Sequence, residues 1–260
     1  MRLRSLHVYP VKSARGLSPL EWPAGERGFD GDRRFMIVEP GGHFLSQRVL
    51  PRMALIEVTP EGERLRLSAP GLSLEVPLRP RAGEPRRVEV WGDEMDAISL
   101  GKEPARALGQ FLGRDCELVY LPDESRREVD PDYAPPGLTV GFADGFPYLL
   151  ATTASLAELA RLGADVPMDR FRPNLVVDGA APFEEDAWSE IAVGEVRFRV
   201  VKPCGRCTIP NVDQRTAEVG VEPARTLAQH RKRDGQVYFG QNLIALTSGR
   251  VRVGDPVTAA

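Results

Sequence analysis

The sequence has no apolar run approaching the roughly 20 residues that a membrane-spanning helix needs. Its opening, Met1-Arg2-Leu3-Arg4-Ser5-Leu6, lacks the apolar core of a secretory signal. Cysteine is scarce: Cys116, Cys204 and Cys207 are too few for a disulfide framework, which points to a reducing, cytoplasmic setting. There is no basic excess either. A net charge of −3, with both signs interspersed, argues against bulk nucleic-acid binding. No repeat at solenoid or propeller spacing is present. At 260 residues and 42% hydrophobic, the chain can bury a real core.

What is present is mostly strand pattern. Phe35-Met36-Ile37-Val38 runs into Glu39-Pro40-Gly41-Gly42 and resumes at His43-Phe44-Leu45, predicting a hairpin. Leu65 and Leu67 alternate up to Ala69-Pro70-Gly71, and Leu72, Leu74, Val76 and Leu78 alternate after it. Ile191 and Val193 are followed by Gly194-Glu195 and then Val196, Phe198 and Val200. Val251 and Val253, then Gly254-Asp255-Pro256-Val257, close the chain in the same style. Helical spacing occurs at 103–112, at 153–162 with Ser155 and Glu158 spaced as a capping box, and at 222–232. The polar stretch from Pro122 to Pro136 reads as a linker. The expected fold class is mostly β with a few helices (α+β), divided into 1–121 and 122–260.

Lys202-Pro203-Cys204-Gly205-Arg206-Cys207 carries the most chemical information. A thiolate is the nucleophilic and metal-binding form of cysteine, and nearby cations favour it. Structural zinc wants four ligands, and Cys116, His7, His43 and His230 are scattered singly. A dithiol redox motif opens a helix, and Thr208-Ile209-Pro210-Asn211 does not. A third reading is one thiolate that binds a soft metal or carries sulfur. Such a metal needs further ligands from elsewhere, for example from an organic cofactor. Candidate anion contacts for that cofactor lie far apart in sequence: Lys12 and Ser13 at a turn, Arg33 or Arg34 on opposite faces of one segment, Arg48, and Arg172 with Asn174.

Taken in order, Tyr9-Pro10-Val11-Lys12-Ser13, Asp32-Arg33-Arg34-Phe35, Phe171-Arg172-Pro173-Asn174, Pro182-Phe183-Glu184-Glu185-Asp186-Ala187-Trp188, Cys204-Gly205-Arg206-Cys207, and Phe239-Gly240-Gln241-Asn242 with Gly254-Asp255-Pro256-Val257 resemble the MOSC superfamily. The branch is the one with an N-terminal β-barrel domain, which includes the mitochondrial amidoxime-reducing component and its bacterial relatives. The resemblance implies a β-barrel-like domain followed by a β-barrel MOSC domain, and a molybdenum cofactor, a pterin dithiolene with a terminal phosphate. It implies Cys207 as the molybdenum ligand and catalytic residue, with Cys204 a neighbour. Lys12, Ser13, Arg34, Arg172 and Asn174 match positions that hold the phosphate and pterin. Gly205 and Arg206 match loop residues that pack on the cofactor, and Asp144, Gly145 and Phe146 match a segment that lines the same pocket. The implied activity is reduction of N-hydroxylated or N-oxide substrates by oxygen transfer to molybdenum. Lys202 and Arg206 are expected to steady the thiolate. No cysteine follows Cys207, so a separate electron-donor protein, a reductase or small redox carrier, is expected as partner. The alternative is a sulfur-carrier or binding module with a persulfide on Cys207, associated in this superfamily with pyridoxal phosphate, although no Schiff-base lysine is identifiable.

Overall fold

The strand Arg2–Leu6 does not stay with the residues that follow it. Its buried Leu3 and Leu6 pack with apolar side chains from the second half, including Leu175, Val177 and Leu243. It pairs antiparallel with the strand Leu175–Asp178. The computed structural model describes residues 1–260 and is mostly β.

The largest sheet runs from Arg2–Leu6 through Leu175–Asp178, Tyr148–Thr152, Gln236–Ala245, Val196–Gly205 and Glu190–Val193 to Val257–Ala259. Its two edges then meet. Leu3 N donates to the Asp255 carbonyl at 2.9 Å, Gly254 N to the Leu3 carbonyl at 2.8 Å, and Val257 N to the Met1 carbonyl at 3.0 Å. The sheet is thereby a nearly closed barrel. Tyr148–Thr152 and Leu175–Asp178 are parallel neighbours, and the crossover between them contains the helix Thr153–Arg161.

The first half holds a second core around Phe35, Ile37, Leu65, Leu67, Leu108 and Phe111. Two of its sheets are Phe35–Val38 with Glu117–Tyr120, Asp93–Ser99 and Glu84–Val90, and the meander Glu57–Glu61, Arg64–Ala69, Leu72–Pro77. The helix Lys102–Leu112 closes over this core with Leu108 and Phe111 buried. No helix is long and apolar enough to cross a membrane.

Several expectations shift. The return at 43–45 turns back on Phe35–Val38 through Glu39 N to the His43 carbonyl and Leu45 N to the Ile37 carbonyl, but as isolated bridges, Val38↔Phe44 and His43↔Glu89, rather than a strand. Gly249–Arg252 pairs with Glu21–Gly25, not with the final strand. The cap of Thr153–Arg161 is Thr152, whose hydroxyl accepts from Ser155 N at 3.1 Å, while Glu158 pairs with Arg161. The Ser155 hydroxyl instead bonds Glu185 at 2.8 Å, so it is not free to cap.

Gly240 marks a close approach inside the barrel. Its φ is +77°, and a Cβ there would lie 2.5 Å from the Leu150 carbonyl oxygen. Left-handed strain and overpacking add, so Gly240→Ala should destabilise by about 2–4 kcal/mol. Chemical denaturation should show a lower midpoint with an unchanged m-value.

Candidate active site

The two cores flank a cavity of about 550 Å³. Its walls come from the turn at Lys12 and Ser13, the segment Ala143–Phe146, the segment Phe171–Asn174, and the loop Lys202–Cys207 that ends the strand Val196–Gly205. Every sequence-predicted site residue lines it except Arg34 and Arg48, the latter stacking on Trp91 and pairing with Asp144.

Arg34 points away. Its guanidinium bonds the Leu121 carbonyl at 3.0 Å and Asp123 at 2.8 Å, and stacks on Tyr120. Arg33 takes the cavity position instead. Consecutive residues face opposite sides, and Arg33 adopts a left-handed φ of 47° just before the strand Phe35–Val38. Its guanidinium is steadied by the buried Asp32 at 2.5 Å and by Asn174 Oδ1 at 3.1 Å.

Asn174 is largely committed to the scaffold. Its Oδ1 accepts from Leu149 N and Arg33, and its Nδ2 donates to the His7 carbonyl. It pins Arg33 and the strand before it rather than offering a free amide edge.

Lys12 is buried, and its ammonium donates to the Phe142 carbonyl at 2.8 Å and to Asp144 at 2.5 Å. Burial pulls the Lys12 pKa down, and Asp144 opposes that shift. Burial would raise the Asp144 carboxyl, but Lys12, with Arg48 and Trp91 behind it, holds it well below the usual carboxylate range. Arg127, itself buried, fixes this wall by donating to the Gly141, Ala143 and Asp144 carbonyls.

Arg172 has no anionic partner. It sits at φ 57° after the short helix Met168–Phe171, and its guanidinium stacks on Tyr9 at 4.3 Å. Like the Lys202 ammonium, its guanidinium forms no salt bridge and no hydrogen bond, while its backbone N–H donates to the Asp169 carbonyl. Burial lowers its pKa to about 10 against the opposing pull of Tyr9, Asp32 and Asp144, as for a partly desolvated cation with no anion in direct contact. Ser13 matches it: at φ 66°, buried, its N–H and hydroxyl have no partner in the protein. Asp144 is the only acidic side chain in the lining, against Lys12, Arg33, Arg172, Lys202 and Arg206. An acidic chain has collected a basic cavity with unfilled donor groups on Arg172 and Ser13, which suits a bound anion.

The cysteine loop is asymmetric. Cys207 is exposed, and its Sγ meets only Ile209 N, at 3.5 Å. Arg206 Nη1 lies 3.1 Å from Cys204 Sγ, and Nη2 donates to the Phe171 carbonyl at 2.8 Å. Lys202 stacks on Tyr133 at 4.2 Å. The expected steadying of Cys207 by these two cations is therefore not the observed geometry: Arg206 serves Cys204 and the Phe171 backbone. Cys116 is buried elsewhere, with burial pushing its thiol up to about 11. No group of three or more His, Cys, Asp or Glu side chains converges to form an all-protein metal site.

The sequence matches two known domain families. Residues 137–258 match the MOSC domain, and residues 1–115 match the MOSC N-terminal beta barrel domain. The chain is 32% identical over 272 residues to mitochondrial amidoxime reducing component 2 of Rattus norvegicus, covering 96% of this chain and 80% of that protein. The chain belongs to the MOSC family. This MOSC protein is also 31% identical to mitochondrial amidoxime-reducing component 1 of Homo sapiens, over 97% of this chain and 81% of that one. It is 33% identical to the molybdenum cofactor sulfurase of Danio rerio, over 92% of this chain but only 31% of the longer sulfurase. The relatives tie the family to molybdenum-cofactor chemistry.

The cavity also includes residues that sequence reasoning passed over: Leu149, Ile209, Gln236 and Tyr238. Only the alternation of the strand Gln236–Ala245, which carries the motif residue Asn242 onto the same wall, could have signalled two of them.

Proposed function

We propose that this protein is a molybdenum-cofactor-dependent reductase of N-hydroxylated or N-oxide compounds. The observation that carries the reading is the coexistence, in one cavity, of an unpaired desolvated Arg172 and an open Cys207 thiol. The donor set fits a pterin dithiolene phosphate on two counts. Cations and free Ser13 donors suit the phosphate, and a dithiolene supplies the sulfur ligands that this chain does not gather. Lys12, Ser13 and Arg172 would hold the phosphate, with Arg33 fixed behind them by Asp32. Cys207 would supply the protein thiolate to the metal. When bound, the cofactor supplies the two-electron redox chemistry and accepts the substrate oxygen.

The chain's own residues supply position and charge. Arg172 exchanges a desolvation penalty for an ionic hydrogen bond, and Lys12 exchanges Asp144 for the phosphate. Arg206 holds the Phe171 carbonyl, which keeps Arg172 at the cavity wall. Phe171 stacks on Phe239 at 4.0 Å and anchors that wall to the barrel. Reducing equivalents come from a separate electron-donor protein.

The test is elemental and pterin analysis of protein expressed in a host that makes the cofactor. We expect about one molybdenum and one pterin per chain. Absence of both, while the host's other molybdoenzymes are loaded, would overturn the reading.

The likeness to the sulfurase favours one second reading, in which Cys207 carries a persulfide. Intact mass would then show a persistent increment of ~32 Da, one sulfur atom, lost on reduction.

A further inference from the structure

Two loops from opposite halves of the sequence meet through a pair of buried glutamines. Gln47 is 0% exposed and Gln214 is 4% exposed. Gln47 Nε2 donates to Gln214 Oε1 at 3.1 Å, and Gln214 Nε2 donates back to Gln47 Oε1 at 2.9 Å. The outer hydrogens are also used. Gln47 Nε2 donates to the Ser13 carbonyl at 2.8 Å, and Gln214 Nε2 to the Val212 carbonyl at 3.1 Å. Both amides are thus fixed in orientation, because reversing either would set an amide oxygen against a backbone carbonyl.

Neither glutamine lines the cavity; the pair lies behind it. One end grips Ser13, whose φ of 66° is unfavourable for a residue with a Cβ and needs outside support. The other end grips Val212, shortly after Cys207 along the chain. That loop is clamped twice more, by Arg15 on the Gln214 carbonyl at 2.7 Å and by Arg170 on Asp213 at 2.8 Å.

We propose that Gln47 and Gln214 form a positioning pair that holds Ser13 with its unpartnered N–H and hydroxyl presented to an anion in the cavity. Gln47 does this directly, and Gln214 locks Gln47 to the cysteine loop. The proposal rests on the anion-binding part of the functional reading, not on the identity of the metal.

Gln47→Met and Gln214→Met provide the test. Each removes three hydrogen bonds of the cluster, but only Gln47→Met removes the bond to Ser13. A merely structural role predicts equal effects from the two. We expect similar falls in melting temperature for both variants. In titration calorimetry, Gln47→Met should bind inorganic phosphate about tenfold more weakly than the parent, the equivalent of one net hydrogen bond. Gln214→Met should weaken binding less, by about two- to threefold, since it keeps the bond to Ser13 and loses only the lock on Gln47. Equal weakening, no weakening in either, or a parent that binds no phosphate overturns the proposal. If Gln47→Met does not fold, Gln47→Asn, which shortens the amide by one methylene, should show the same ordering. A parent that binds phosphate but acquires no molybdenum or pterin sinks the reductase reading and leaves the positioning pair standing.

Discussion

Cys207→Ser will abolish reduction of an N-hydroxylated substrate, while Cys204→Ser will keep much of it. The two thiols share a short loop but not an environment. Cys207 is open to the cavity and its sulfur has one weak backbone contact, so its loss costs the fold little. A hydroxyl is a poor replacement for a soft thiolate donor. Changes to the partners of metal ligands typically cost 10–100-fold, so loss of the ligand itself should cost more than about a hundredfold. Cys204 faces Arg206, and serine can still accept that guanidinium hydrogen bond. Steady-state kinetics on cofactor-loaded protein, with circular dichroism to confirm folding, decides the matter. Equal losses from the two variants would favour a dithiol mechanism.

Arg172→Met should produce effects of opposite sign on stability and binding. In the cofactor-free protein Arg172 is a desolvated cation without an anion, and methionine fills similar volume without that penalty. The apo variant should therefore melt at or above the parent temperature. An ionic hydrogen bond contributes about 1.5–3 kcal/mol, so phosphate affinity and cofactor retention should fall about 10–100-fold. Thermal scans of apo protein and molybdenum content after purification give the two readouts. A variant that loses stability and keeps its cofactor would show that Arg172 is a packing residue.

The fold class was legible because its signals were local. Leu65 and Leu67, then Leu72, Leu74 and Val76, alternate across Pro70-Gly71, and the hairpin is where that pattern puts it. The hairpin Glu84–Val90 with Asp93–Ser99 went unread because its outward face is dense in Glu, Asp and Arg. Its signal was present in Val88, Val90, Met95 and Ala97 around Trp91-Gly92. The division at 121/122 remains our proposed boundary in sequence, with Arg2–Leu6 and Glu21–Gly25 contributing across it.

The site was legible as a set of segments, and less so residue by residue. Motif order brought Lys12, Arg172 and Cys207 together, whereas choosing between Arg33 and Arg34 depended on one left-handed φ that no spacing encodes. Asn174 carried the right chemistry but is consumed by Leu149, Arg33 and His7. The buried amides of Gln47 and Gln214 left no trace in pattern, since glutamine is ordinarily a surface residue.

The barrel seam sets an order for folding. During synthesis Arg2–Leu6 emerges well before its neighbours, Leu175–Asp178 on one side and residues 254–257 on the other. Its apolar Leu3 and Leu6 must wait through most of translation before either edge is satisfied. The loop closed by that seam is nearly the whole chain, which places barrel closure among the slow, non-local steps. The core around Phe35 and Leu112 shares no residue with that seam. The cavity, whose walls come from both halves, is therefore completed late, once the barrel strands next to Arg172 and Cys207 are joined.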